Sequence, residues 1–351
     1  MNTRKFIINK TSFETFDVFR AYGIAYLISG FEKKIASRIR DSGYAFIVEA
    51  YDDPPSRPDP NIFEETAGSW SVIFRTFKER KDLKGEPPSK DAETIITHDY
   101  ERILSIHANP EFMPLIGKKV KDGRTLYQTL DVSAAKGYRE AKRDIYHDGS
   151  QLEVDKYSWA TAVIGAAWSS VWPQNLMLRE ISFLLCIVPN PKNVLLISHQ
   201  DVQNRLEKRL CGFSANTALI HYCVKLAQLV REKSDEVDYD SVVFNVMKKT
   251  GQQPKPGGGG KYSLSFLEEL AKTAPGLNAL EIMDRHLLPT NPRIKGIRQS
   301  TALALTDFLL RPTLENLRIL ESFYIRGQIN GDFYPWDKTQ LREILNHVEV
   351  A

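Results

Sequence analysis

The sequence predicts an α+β, multidomain protein, with a mixed α/β amino-terminal part and a helical bundle at the carboxy terminus. Two observations carry this. Short β-branched and aromatic runs bounded by prolines occur in the first part, and the hydrophobic period becomes that of a helix throughout from Ser263 onward. Length agrees: 351 residues, 42% apolar and 26% charged, suffice for two or three domains of about 100–200 residues each. The expected divisions are a mixed α/β domain at 1–150, a central α/β domain at 151–275 and a helical bundle at 276–351.

Taken in order, Thr11 and Glu14 have capping-box spacing. They open a segment whose Phe13, Phe16, Phe19, Ile24, Leu27 and Ile28 predict a helix buried nearly all round. Tyr44–Tyr51 and Ser69–Phe77 read as strands, separated by a loop, Asp52–Pro60, in which four prolines deny the backbone donors and helical dihedrals. The next helical patch is expected near Asp99. Trp159–Trp172 reads as a buried helix stopped by Pro173. Ile181–Val188 and Val194–Ser198 read as core strands around a hairpin turn, Pro189–Asn193. Two helices follow, one from Asp201 to near Gly212 and one from Ala215 to Lys233 with Leu219, Cys223, Leu226 and Val230 on one stripe. Ser241–Met247 is extended and enters a glycine-rich loop, Gly251–Lys261. At the carboxy end Leu314, Leu317, Leu320 and Tyr324 are helically spaced, and Asp337 with Gln340 caps a last helix.

Composition narrows the function classes. With 47 basic and 44 acidic residues the net charge is only +3, and 10% of residues are aromatic, so disorder is excluded as the main state. No stretch nears the roughly 18 apolar residues of a membrane span, and no apolar segment follows the basic residues after Met1, so neither membrane insertion nor secretion is expected. Cys186, Cys211 and Cys223 cannot form a disulfide framework, which fits a reducing, cytoplasmic setting.

Two cationic stretches point to nucleic acid. Ser241 to Phe266 holds Lys248, Lys249, Lys255 and Lys261 with no acidic residue, and its glycines permit close backbone approach to phosphates. It is not a Walker A loop, because Lys255 stands where the first glycine belongs and Tyr262 where Ser or Thr belongs. Gln252 and Gln253 are the candidates for reading base edges. Upstream, Lys118, Lys119, Lys121, Arg124, Lys136, Arg139, Lys142 and Arg143 are eight basic residues against three acidic ones, with Tyr127 and Tyr138 among them as stacking candidates. A solvated surface accounts for the same charges.

Catalytic alternatives are thinner. Pro58-Asp59 and Glu79-Arg80-Lys81 stand in the order of a Mg²⁺-dependent nuclease of the restriction-endonuclease type, with Asp59 and Glu79 as metal ligands and Lys81 as activator, but in poor strand context. Cys211, His221 and Cys223 lie close in sequence, yet His221 and Cys223 are two apart on a helix and point about 200° apart, so no zinc site is expected. The scattered histidines open no hydrolase set. Neither an enzyme nor a cofactor is expected.

The segments Phe16–Ile28 and Tyr239–Met247, the glycine-rich stretch after them and the all-helical end together resemble the large subunit of type I CRISPR Cascade complexes. The likeness is one of layout over most of the chain, without the cysteine-rich zinc site of some members. It implies a non-catalytic subunit partnered with the other Cascade subunits, guide RNA and target double-stranded DNA, in antiviral defence. Such a subunit recognises the motif flanking the target (the PAM) and stabilises the opened duplex, while base pairing reads the sequence.

Overall fold

A computed structural model describes residues 3–11, 13–30, 35–63, 74, 88–117, 119–126, 152–170, 182–206, 213–250, 253–287, 297–332 and 334–349, with the backbone alone at 89, 125, 152, 182–184, 247–250, 253–257 and 297. The chain begins with β1 (Arg4–Asn9), α1 (Glu14–Ser29), β2 (Ser37–Asp41) and β3 (Ala45–Ala50), followed by a 3₁₀ turn at Pro60–Phe63 and α2 (Pro88–Ala108). A small sheet of β4 (Ile116–Gly117), β5 (Arg124–Leu126) and β6 (Leu152–Val154), in the order β4-β6-β5, precedes α3 (Lys156–Ser169). Then come β7 (Ser182–Leu195), α4 (Leu196–Arg205), α5 (Ala215–Arg231), β8 (Val237–Thr250) and β9 (Gln253–Ser263). The described remainder is helical: α6 (Ser265–Ala271), α7 (Ala274–Leu287), α8 (Ile297–Leu310), α9 (Leu314–Ile329) and α10 (Lys338–Asn346). The α+β class and the helical carboxy terminus are as expected.

The main sheet is antiparallel and six-stranded, in the order β1-β3-β2-β7-β8-β9. Alternation along its central strands builds two cores, since successive side chains of a strand point to opposite faces. Cys186, Val188 and Val243 join a core made with α1, α2 and α3, whereas Leu185, Ile187, Val242 and Val246 join a second core with α5 to α10. β2 pairs with β7 at Arg38–Arg40, so the sheet runs across the division expected at residue 150. The helices after 276 share their core with α5 and the sheet; Tyr262 Oη, for instance, donates to the Leu309 carbonyl at 2.8 Å.

Helix α1 is buried from Thr15 to Ser29, as its composition predicts. Its backbone meets that of α3 through two glycines: a Cβ on Gly23 would lie 1.8 Å from the Thr161 carbonyl oxygen, and one on Gly165 would lie 1.8 Å from that of Phe19. The Leu219, Cys223, Leu226 and Val230 stripe is buried on α5, and the Asp337–Gln340 capping box is present on α10.

Five local expectations are corrected. Thr11 does not cap α1, whose N-cap is Phe13; its hydroxyl instead contacts both Asp17 carboxylate oxygens, at 3.0 and 3.1 Å. α2 starts at Pro88, and Asp99 marks a kink within it. Pro189–Asn193 is no turn but part of continuous β7, tolerated because β2 covers only Asn193–Leu195 and the β7–β8 register shifts at Asn190–Asn193. The next helix, α4, begins at Leu196, before Asp201. Gln253–Lys261 is strand, not loop. Ser69–Phe77, apart from Phe74, lies outside the described residues.

Candidate nucleic-acid interface

The cationic stretch folds into the long antiparallel pair β8–β9, and β9 is an edge of the sheet. Pro254 and Pro256 fit an edge strand, where a missing N–H costs no ladder bond on the open side. Gly259 is opposite Asn245, and a Cβ there would lie 2.8 Å from the Phe244 carbonyl oxygen and 3.1 Å from Asn245 Oδ1. The glycine leaves space for Asn245, whose Nδ2 donates to Thr15 Oγ1 of α1 at 2.8 Å. Gly259, with Gly260 against the Phe244 ring, is therefore a close contact between the two strands, whereas Gly258 faces open space.

Towards the end of the hairpin the register sets Lys248 against Lys255 and Lys249 against Pro254. Like charges directly opposite one another destabilise a strand pair. Lys261, by contrast, is spent within the fold: its ammonium is 2.6 Å from Asp240 Oδ2 and 3.3 Å from Glu14 Oε1. Burial works against its charge, but these carboxylates hold its pKa above the ordinary lysine value. Burial likewise works against Asp240, which Lys261, Ser241 and Asn190 nonetheless keep below the usual carboxylate range.

The upstream patch is only partly described. Arg124 makes a two-pronged ion pair with Asp91, at 2.6 and 3.1 Å, so its charge is compensated. Lys119 and Lys121 are exposed at a turn closed by Gly123 N to Val120 O at 2.9 Å, with Glu153 holding Val120 N. Lys118, Lys136, Arg139, Lys142, Arg143 and Gln252 lie outside the described residues, as do Tyr127, Tyr138, Glu79, Lys81 and Cys211. Asp59 Oδ1 accepts from Asn61 N at 3.0 Å, as the cap of the 3₁₀ turn. His221 Nε2 lies 2.9 Å from Asp284 Oδ1, while Cys223 is buried in the second core. Among the described residues no three metal-ligating side chains gather.

Sequence reasoning missed a buried polar cluster beneath α1. Arg20 Nη1 is 3.2 Å from Asp17 Oδ1 and donates to the Asn9 carbonyl at 3.0 Å, with both side chains almost fully enclosed. Burial pushes the Asp17 carboxyl up to about 6, against the pull of Arg20 and Thr11. Burial and the Arg20 charge push the His107 imidazole down to about 3. The signal was an aspartate and an arginine three residues apart in an otherwise apolar helix.

No protein family matches the chain's sequence. An uncharacterized protein of Archaeoglobus fulgidus is 23% identical over 366 aligned positions, covering 99% of each chain. The likeness spans both cores and the hairpin between them.

Proposed function

We propose that the chain is a non-catalytic nucleic-acid-binding subunit that holds a phosphate backbone with the end of its β8–β9 hairpin. The observation that carries this is the Lys248–Lys255 register, reinforced by Lys249, on an acid-free stretch. A fold left to itself avoids opposing like charges on paired strands, and a polyanion removes the repulsion. Phosphate contact of this kind positions the protein without reading sequence. In the RNA-guided complex that the Cascade resemblance implies, the hairpin end holds DNA while the guide pairs with its target. The two described cysteines, Cys186 and Cys223, are buried, and desolvation pushes both thiols up. Among the described residues no helix is long and apolar enough to cross a membrane.

The test is duplex and single-stranded DNA binding by the full chain across a salt series. Replacing Lys248, Lys249 and Lys255 together by alanine lowers affinity alike for unrelated sequences. It also flattens the log–log salt slope by about 0.9 for each duplex phosphate no longer neutralised. An unchanged slope refutes the assignment, and DNA cleavage by the unmodified chain with Mg²⁺ or Mn²⁺ refutes the non-catalytic reading.

A further inference from the structure

A cavity of about 430 Å³ lies where α5 ends and β8 begins, with α6 packed alongside. It stands at the opposite end of β8 from Lys248, apart from the basic hairpin end. Its volume is that of a small-molecule site. Ala227, Val230, Val237 and Ala271, all buried, give it apolar walls. Four charged side chains also line it, and neighbours outside the cavity neutralise two of them. Asp238 Oδ2 is 3.0 Å from Lys192 Nζ, and Lys272 Nζ is 2.5 Å from Glu269 Oε1. That leaves Glu268 and Arg231, one of each sign. Among the described residues neither side chain makes a hydrogen bond or an ion pair.

Glu268 is half-buried. Burial, then the Asp238 charge and more weakly that of Glu269, push its carboxyl up to about 7, against the pull of Lys192 and Lys272. A cation brought to such a group favours its charged form. Arg231 is exposed on the cavity rim, and its guanidinium presents the fork that receives a carboxylate. A bare amine would leave Arg231 unanswered, and a bare anion would leave Glu268 so. A ligand matched to both carries an ammonium and a carboxylate on an apolar body. We infer that this cavity binds a small apolar zwitterion, a free aliphatic amino acid or a dipeptide of such residues. Its ammonium meets Glu268, its carboxylate meets Arg231, and its hydrocarbon lies against Val230 and Val237. The inference does not rest on nucleic-acid binding.

The experiment titrates leucine and the dipeptide Leu-Leu into the full chain by calorimetry, and the tighter of the two identifies the source of the zwitterion. N-acetyl-leucine and leucinamide, which each lack one of the two charges, bind at least tenfold more weakly. Glu268→Gln and Arg231→Gln each weaken the zwitterion at least tenfold, and an unchanged thermal midpoint shows that each variant has folded. A proton balance reads the Glu268 contact directly. At pH 7 this carboxyl is about half protonated and an ammonium favours its charged form, so binding releases up to about half a proton. The release is measured from the dependence of the heat on buffer ionisation, and Glu268→Gln abolishes it. The inference is overturned if neither zwitterion binds, if either single-charge analogue binds as tightly, if either variant leaves the affinity unchanged, or if the parent chain binds without releasing a proton.

Discussion

Tyr22 stacks on His199 with ring centroids 4.4 Å apart, and His199 Nδ1 lies 2.7 Å from Tyr239 Oη. Tyr22 belongs to the core under α1 and Tyr239 to the core under α5, so one imidazole joins the two. The Tyr22 hydroxyl donates to the Pro189 carbonyl at 3.1 Å, beside the irregular part of β7. Tyr239→Phe keeps the ring and removes the hydroxyl, leaving buried His199 without this bond. The expected loss is about 1–3 kcal/mol in urea unfolding, the usual cost of orphaning a buried polar group.

The α1–α3 contact is sensitive to a single methyl group. Gly165→Ala places a carbon on the Phe19 carbonyl, which no rotamer relieves, so the helices must separate. Destabilisation at or above the upper end of the roughly 1–3 kcal/mol range for overpacking is expected, with a matching change in Trp159 and Trp168 fluorescence. Gly117→Ala, where nothing lies within 4 Å of the added carbon, is close to neutral.

His107 makes stability fall in mild acid. Its folded pKa, about 3, lies below the ordinary 6.5, so the unfolded chain binds the proton more readily and stability declines as pH drops from 6.5 towards 3. At pH 4.5 the loss is about 3 kcal/mol. Asp17 acts oppositely: with a pKa raised from 3.8 to about 6, it adds stability as pH falls through 6 towards 3.8. His107→Leu therefore removes the acid loss and exposes the Asp17 gain, as checked by denaturation midpoints between pH 7 and 4.

On the proposed assignment, basic residues already paired within the fold contribute little to DNA binding. Arg124→Ala and Lys261→Ala each leave the salt slope within about 0.3 of the parent, in contrast to about 0.9 per true duplex contact. A drop of a full unit for either moves the interface away from the hairpin end.

Local signals were legible where one element answers to its own neighbours. The Asp337–Gln340 box, the α5 stripe and the all-round burial of α1 follow from residues within a few turns of each other. Misreadings arose where a distant strand decides. Pro189 and Pro191 read as a turn because proline has no place in a central strand, yet β7 is central only at Asn193–Leu195, where β2 reaches it. Four glycines read as a loop because propensity knows nothing of Asn245, whose side chain needs the space that Gly259 leaves. In the candidate site the lysines were visible in sequence. Their fates were not: Lys261 met Asp240 and Glu14, and the backbone register placed Lys248 opposite Lys255, through pairings that only the fold creates.

The β2–β7 seam also orders events during synthesis. Arg38 bonds to Asn193, 155 residues later, which a ribosome adding about 5–20 residues per second reaches after roughly ten to thirty seconds. Throughout that interval the β1-β3-β2 ribbon has emerged with one side of β2 bare, and the first core still lacks Cys186, Val188 and Val243. A nascent chain in this condition is a natural client for a chaperone that covers strand edges. A fragment ending at residue 150 stays in that condition permanently, and it lacks α3 as well as the β7 edge, so only the whole remainder of the chain closes it.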